Sequence, residues 1–96
     1  MAYEKFNLKG KSGIVTGGGT GLGKGMAAAL VQAGAEVLIV GRRKEVLEAT
    51  AKELSAFGGP VVPFSADVTK MDEIPKIVDK ALQTFGKIDF LINNAG

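Results

Sequence analysis

Ile14-Val15-Thr16-Gly17-Gly18-Gly19-Thr20-Gly21-Leu22-Gly23-Lys24-Gly25 is the stretch on which the fold turns. Its first three residues are a short β-branched run bounded by glycine, which predicts a buried strand. From Gly21 to Gln32 the chain is rich in Ala, Leu and Met and closes on Ala33-Gly34, the pattern of a helix with a glycine stop. Strand, glycine turn and helix therefore follow one another directly. Of the 14 glycines in 96 residues, seven fall between Gly13 and Gly25. A turn alone does not explain so many, because each glycine loses more backbone freedom on folding than any other residue.

The same alternation continues outward. Val37-Leu38-Ile39-Val40 reads as a second, fully apolar strand. Val46, Leu47, Ala51, Leu54 and Phe57 predict a helix over 44–57, ended by Gly58-Gly59-Pro60. Val61 to Ser65 is a third strand. Ile74, Ile77, Val78, Ala81, Leu82 and Phe85 repeat at helical spacing up to Gly86. The first turn of that helix is expected to be irregular because of Pro75, with Thr69 or Asp72 as its cap. Ile88 to Ile92 is a fourth strand. The predicted order is β-α-β-α-β-α-β in a single domain over 1–96. Strands apolar on both faces and separated by helices imply a parallel α/β sheet covered on both sides. Right-handed crossovers make it doubly wound. In the dinucleotide-binding (Rossmann) arrangement the order is 3-2-1-4, which puts Pro63 on an edge strand, where a missing donor is tolerated.

Composition narrows the function. The net charge of +2 gives no reason to expect nucleic acid or a membrane surface as partner. No cysteine is present, so disulfides and thiolate metal sites are excluded, and no histidine is present to serve as general base or metal ligand. No apolar run approaches the roughly 20 residues that span a bilayer, and residues 1–10 do not resemble a signal peptide. A cytoplasmic location is expected.

The glycine loop sits in the context that gives such a motif meaning, between strand and helix. Gly17 suits the sharp turn, Gly21 lets the backbone approach a pyrophosphate, and Gly23 lets the helix pack closely. Free N–H groups and the positive helix end would face the phosphates. The alternative is a glycine-rich turn with no ligand. A triphosphate P-loop is excluded on two counts. Gly18, Gly23 and Lys24 fit its start, but Gly25 stands where Ser or Thr should hold magnesium, and Asp89 lies at the wrong end of strand four for a metal ligand.

Beyond strand two, an NAD site would carry an acidic residue for the adenosine ribose. Here stands Gly41, followed by Arg42, Arg43 and Lys44. Cations at a helix start oppose the dipole unless an anion binds there, and the 2′-phosphate of NADP is such an anion. A solvated charge cluster is the competing reading. NADP is therefore the expected cofactor, ahead of NAD.

Three motifs together resemble the short-chain dehydrogenase/reductase family. They are T-G-x-x-x-G-x-G at Thr16 to Gly23, Asp67-Val68 after strand three, and Asn93-Asn94-Ala95-Gly96 after strand four. They fall in the family's order and spacing. The resemblance implies that Gly17, Gly18, Gly19, Thr20, Gly21 and Leu22 wrap the pyrophosphate and adenosine ribose. It implies Arg42, helped by Arg43, on the 2′-phosphate, Asp67 on the adenine amino group and Val68 beside the ring. Asn94, Ala95 and Gly96 would line the cofactor, and Asn93 would be structural. Many members carry Ser at the place of Gly19 and a basic residue or Ser at that of Thr20, which gives the two arginines more weight here.

The family's catalytic serine and Tyr-x-x-x-Lys pair would lie beyond Gly96. The only tyrosine, Tyr3, is followed four residues later by Asn7, so no catalytic residue is assigned and the 96-residue chain alone is expected to be inactive. The resemblance implies a parent oxidoreductase that moves hydride between nicotinamide and a carbon bearing a hydroxyl or carbonyl. Such a parent takes a small-molecule substrate and is expected to be a homo-oligomer. Residues 20–27 and 74–79 look most like the sugar-acid branch that includes 2-deoxy-D-gluconate 3-dehydrogenase and gluconate 5-dehydrogenase. A 3-oxoacyl-carrier-protein-reductase-like parent, or a dinucleotide-binding module without turnover, are the alternatives.

Overall fold

The computed structural model of the chain describes residues 7–94. Four strands and three helices alternate: β1 (Ser12–Thr16), α1 (Gly21–Gln32), β2 (Glu36–Gly41), α2 (Lys44–Ser55), β3 (Val61–Ser65), α3 (Ile74–Phe85) and β4 (Phe90–Asn93). All pairings are parallel, in the order β3-β2-β1-β4. Ile39 lies opposite Val15 on one side and Pro63 on the other. Pro63 is thus on an edge strand, as its missing N–H requires.

The two-residue period of the strands decides where the helices go. Val15, Val37, Ile39 and Val61 point to one face and bury against Ala27 and Val31 of α1 and Leu47, Ala51 and Leu54 of α2. Ile14, Leu38 and Val40 point to the other face and meet Ile77 and Ala81 of α3. Only those two residues of α3 are buried, and Ile74, Val78 and Leu82 of its apolar set are exposed.

Boundaries differ from the sequence reading for local reasons. Helix α2 stops at Ser55, and Phe57 lies in the following turn, half exposed. A 3-10 turn, Met71–Glu73, precedes α3, whose own first turn is regular with Pro75 at its start, where a missing N–H is tolerated. The expected irregularity lies before the helix and not in its first turn. Neither Thr69 nor Asp72 caps it. The cap positions are Lys70 and Glu73, without side-chain cap bonds, because the Thr69 hydroxyl is engaged by Asp67 Oδ1 at 2.6 Å. Strand β1 starts earlier than predicted, at Ser12, whose N–H donates to Asp89 Oδ2 at 2.9 Å. Strand β4 starts later than predicted, at Phe90. Asp89 therefore sits at the N-terminal end of the sheet and pairs with Lys87 there. Among the described residues no helix is long and apolar enough to cross a membrane, and no three His, Cys, Asp or Glu side chains gather as a metal site.

Candidate functional site: a cleft at the strand ends

Gly17 follows β1 directly with φ +67°, and Gly21 opens α1 with φ +59°. Both values lie in the left-handed region that favours glycine. The Gly17 N–H donates to Val40 O at 2.7 Å and pins the turn to the end of β2. Gly18 faces inward, where a Cβ would come within 2.8 Å of Ile39. Gly23 is buried beneath the turn. A Cβ on it would meet the Gly17 carbonyl and stand 2.9 Å from Asn94 Nδ2. The start of α1 is left uncapped. Thr20 makes no side-chain cap bond, and no acidic residue lies in the first turn. Such an end offers N–H groups to an anion.

Beside the turn lies an open cleft of about 530 Å³. Gly17, Gly19 and Thr20 form one wall; Gly41, Arg42 and Arg43 form the next; Ala66, Asp67, Val68 and Thr69 complete it. Val40, Val46 and Leu47 give it an apolar part. Of the residues singled out from sequence, Gly18, Gly21, Leu22, Gly23 and Asn94 do not line it. Gly18 and Gly23 shape the backbone from behind, while Leu22 is largely exposed at the helix start. Ala95 and Gly96 lie outside the described residues, as does Tyr3.

Asp67 is bound into the turn after β3. Its Oδ1 accepts from both the N–H (2.9 Å) and the hydroxyl of Thr69, and its own N–H donates to Glu73 Oε1 at 3.0 Å. These bonds leave Oδ2 for an incoming donor. The Thr69 hydroxyl and then its N–H hold the carboxyl below its ordinary value, with smaller help from the charges of Arg42 and Lys70, against a desolvation effect that raises it. The turn role and a ligand role are thus compatible in one side chain. Arg42 and Arg43 are exposed, and Arg43 is the N-terminal flank of α2. Glu45 in the first turn of α2 offsets part of the unfavourable charge that the sequence suggested. The Arg42 carbonyl accepts the Ser65 hydroxyl at 3.2 Å. Lys24, the lysine of the excluded P-loop, pairs with Glu53 of α2 at 2.7 Å.

Two threonines have roles that the sequence did not announce. Thr16 donates to Asn93 Oδ1 at 2.8 Å and accepts from the Asn94 N–H at 3.1 Å, which ties the ends of β1 and β4. Asn93 is structural in this sense. Thr50 of α2 is buried and donates to Gly19 O at 2.7 Å. A polar residue three positions after Leu47, on the stripe that buries α2, was the signal available for it.

A parallel sheet in the order 3-2-1-4, with a glycine turn at the C-terminal end of its first strand, defines the Rossmann-type α/β class. A model of the short chain dehydrogenase family matches residues 11–96. The chain is 44% identical over 96 residues to 2-dehydro-3-deoxy-D-gluconate 5-dehydrogenase of Escherichia coli (strain K12), covering all of this chain and 37% of that protein. It is 37% identical over 98 residues to 3beta-hydroxysteroid dehydrogenase 2 of Eggerthella lenta, covering all of this chain and 38% of that one. Among solved structures it resembles L-sorbose reductase from Gluconobacter frateurii, complexed with NADPH and L-sorbose. The TM-score is 0.90 at 31% identity, over 94% of this chain and 35% of that one. The chain belongs to the short chain dehydrogenase family. It spans little more than a third of the length of these relatives.

Proposed function

We propose that this chain is the NADP(H)-binding part of an oxidoreductase that moves hydride between the nicotinamide and a secondary alcohol or ketone. The observation that carries the reading is the wall formed by Gly41, Arg42 and Arg43 in the same cleft as Gly17, Gly19 and Thr20. Gly41 brings no carboxylate to repel a phosphate, and Arg42 and Arg43 bring two positive charges. The uncapped start of α1 suits the pyrophosphate, Asp67 Oδ2 suits the adenine amino group, and Val68 offers an apolar edge. Gly18, Gly21, Leu22 and Gly23 take part through the backbone path of the loop. Asn94, Ala95 and Gly96 are proposed to line the cofactor beyond the end of β4. When bound, the nicotinamide supplies the hydride chemistry, and these residues bind and orient it.

Domain 1–96 carries no catalytic residue in this reading, and turnover belongs to the longer protein. A sugar acid is the proposed substrate class, supported by the 44% identity to the gluconate-type dehydrogenase. The parent is proposed as a cytoplasmic homo-oligomer. Titration with NADPH and NADH, followed by cofactor fluorescence, tests the reading: NADPH should bind more tightly, and equal affinity would contradict the assignment of the arginines.

A further inference from the structure

We propose that Thr50 is a positioning residue for the dinucleotide: its buried hydroxyl fixes the Gly19–Thr20 peptide of the glycine loop in the orientation that receives the cofactor. The inference rests on reading the cleft as a dinucleotide site. Thr50 lies in the middle of α2 and is 4% exposed. A threonine within a helix ordinarily returns its hydroxyl to the carbonyl four residues earlier. Thr84 of α3 does this, donating to Lys80 O at 2.7 Å. Thr50 instead reaches out of its own helix to Gly19 O, 31 residues away in sequence, at the same 2.7 Å.

Three consecutive glycines give the loop the freest backbone available to a protein. The first two are tied to β2, since the N–H groups of Gly17 and Gly18 both donate to Val40 O, at 2.7 and 3.4 Å. Gly19 is held from the other side by Thr50. The described chain has no cis peptide, and a planar trans peptide points its carbonyl and N–H in opposite directions. With the Gly19 carbonyl turned to α2, the Thr20 N–H faces away from α2. Gly19 and Thr20 both line the cleft, so this peptide is set before a ligand arrives, and less ordering remains to be done on binding. The same helix begins beside Arg42 and Arg43, so α2 spaces the phosphate loop from the arginines.

The test uses Thr50→Ser and Thr50→Ala, which both lack the γ-methyl and differ only in the hydroxyl. Thr50→Val, which keeps the side-chain volume, is the check should Thr50→Ala lose its fold by circular dichroism. The hydroxyl-free variants should bind NADP and NAD about fivefold more weakly, by the same factor for both, as expected for one neutral hydrogen bond. Thr50→Ser should stay within about twofold of the wild type. A merely structural threonine would lower the thermal midpoint of Thr50→Ala and leave both dissociation constants unchanged, which would overturn the proposal. Equal losses in Thr50→Ser and Thr50→Ala would also overturn it, since methyl packing would then be the cause. If the wild type binds NADP and NAD equally but the alanine variant weakens both, the arginine assignment fails and Thr50 stands. If the wild type binds neither, both fail.

Discussion

Gly23 rests on the carbonyl group of Gly17, so that a Cβ at position 23 would come within 2.7 Å of the Gly17 carbonyl carbon. That contact brings the first turn of α1 beneath the glycine loop. Backbone cannot rotate away as a side-chain tip can. Gly23→Ala should therefore destabilise the chain by about 1–3 kcal/mol, the usual penalty for overpacking, and displace the loop. Gly25, one position beyond its neighbour Lys24, has nothing within 4 Å of its would-be Cβ and lies in the same helix. Gly25→Ala should stabilise by about 0.5–1 kcal/mol, through helix propensity alone. Denaturant unfolding of both variants checks the pair. Equal effects at 23 and 25 would contradict the packing.

Asp67→Ala should weaken NAD and NADP alike, by about tenfold for a hydrogen bond to a charged acceptor near solvent, because both carry adenine. Unchanged titrations with both would make Asp67 a turn residue only.

The acid behaviour of Asp67 follows from the same bonds. Its folded-state value lies below the ordinary 3.8, chiefly through the Thr69 hydroxyl and N–H. Stability from this group is therefore present above 3.8 and lost as pH falls through the lowered value. Removing the hydroxyl in Thr69→Val should move the titration of Asp67 upward. Carboxyl chemical shifts followed by NMR report it, and a midpoint at or above 3.8 in the wild type would be the contrary result.

The 96-residue chain by itself should self-associate. On β4, Leu91 is 63% exposed, and the strand is paired with β1 alone among the described strands. An unpaired parallel edge with exposed apolar side chains is a template for another chain. Light scattering at about 10–50 micromolar, within the range where such surfaces associate, should show species larger than a monomer. A monodisperse monomer would contradict this.

What the sequence made legible follows its strongest periodicities. The predicted strands are apolar on both faces, so the order of elements along the chain could be read directly, and Pro63's edge position followed from the dinucleotide-binding strand order. The glycine loop could be read because Gly17 and Gly21 have positive φ and Gly23 has no room for a Cβ, all backbone requirements that only glycine meets. The ends of α2 and β4 were less readable. Phe57 continues an apolar spacing that the chain abandons at the turn after Ser55, and Lys87–Asp89 is shaped by the Asp89 bond to Ser12, 77 residues away. The bonds of Thr16 and Thr50 could not be read because their partners are distant in sequence, and no local pattern announces a bond from one element to another.

On the proposed reading, Arg42 and Arg43, which follow Gly41 at the C-terminal end of β2, select the 2′-phosphate. A Cβ at Gly41 would meet Leu47 Cδ2 at 3.4 Å, an ordinary contact, and Gly41 has no positive φ, so the backbone there accepts a side chain. Isothermal titration of the wild type, Arg42→Ala and Gly41→Asp with NADP and NAD is the most direct measurement. NADP should bind the wild type about tenfold or more tightly than NAD, as one exposed charge-assisted contact allows, and the margin should narrow with added salt. Arg42→Ala should lose NADP affinity and keep that for NAD, and Gly41→Asp should reverse the preference. Equal binding of the two cofactors by the wild type, with no change in either variant, would contradict selection of the 2′-phosphate by Arg42 and Arg43.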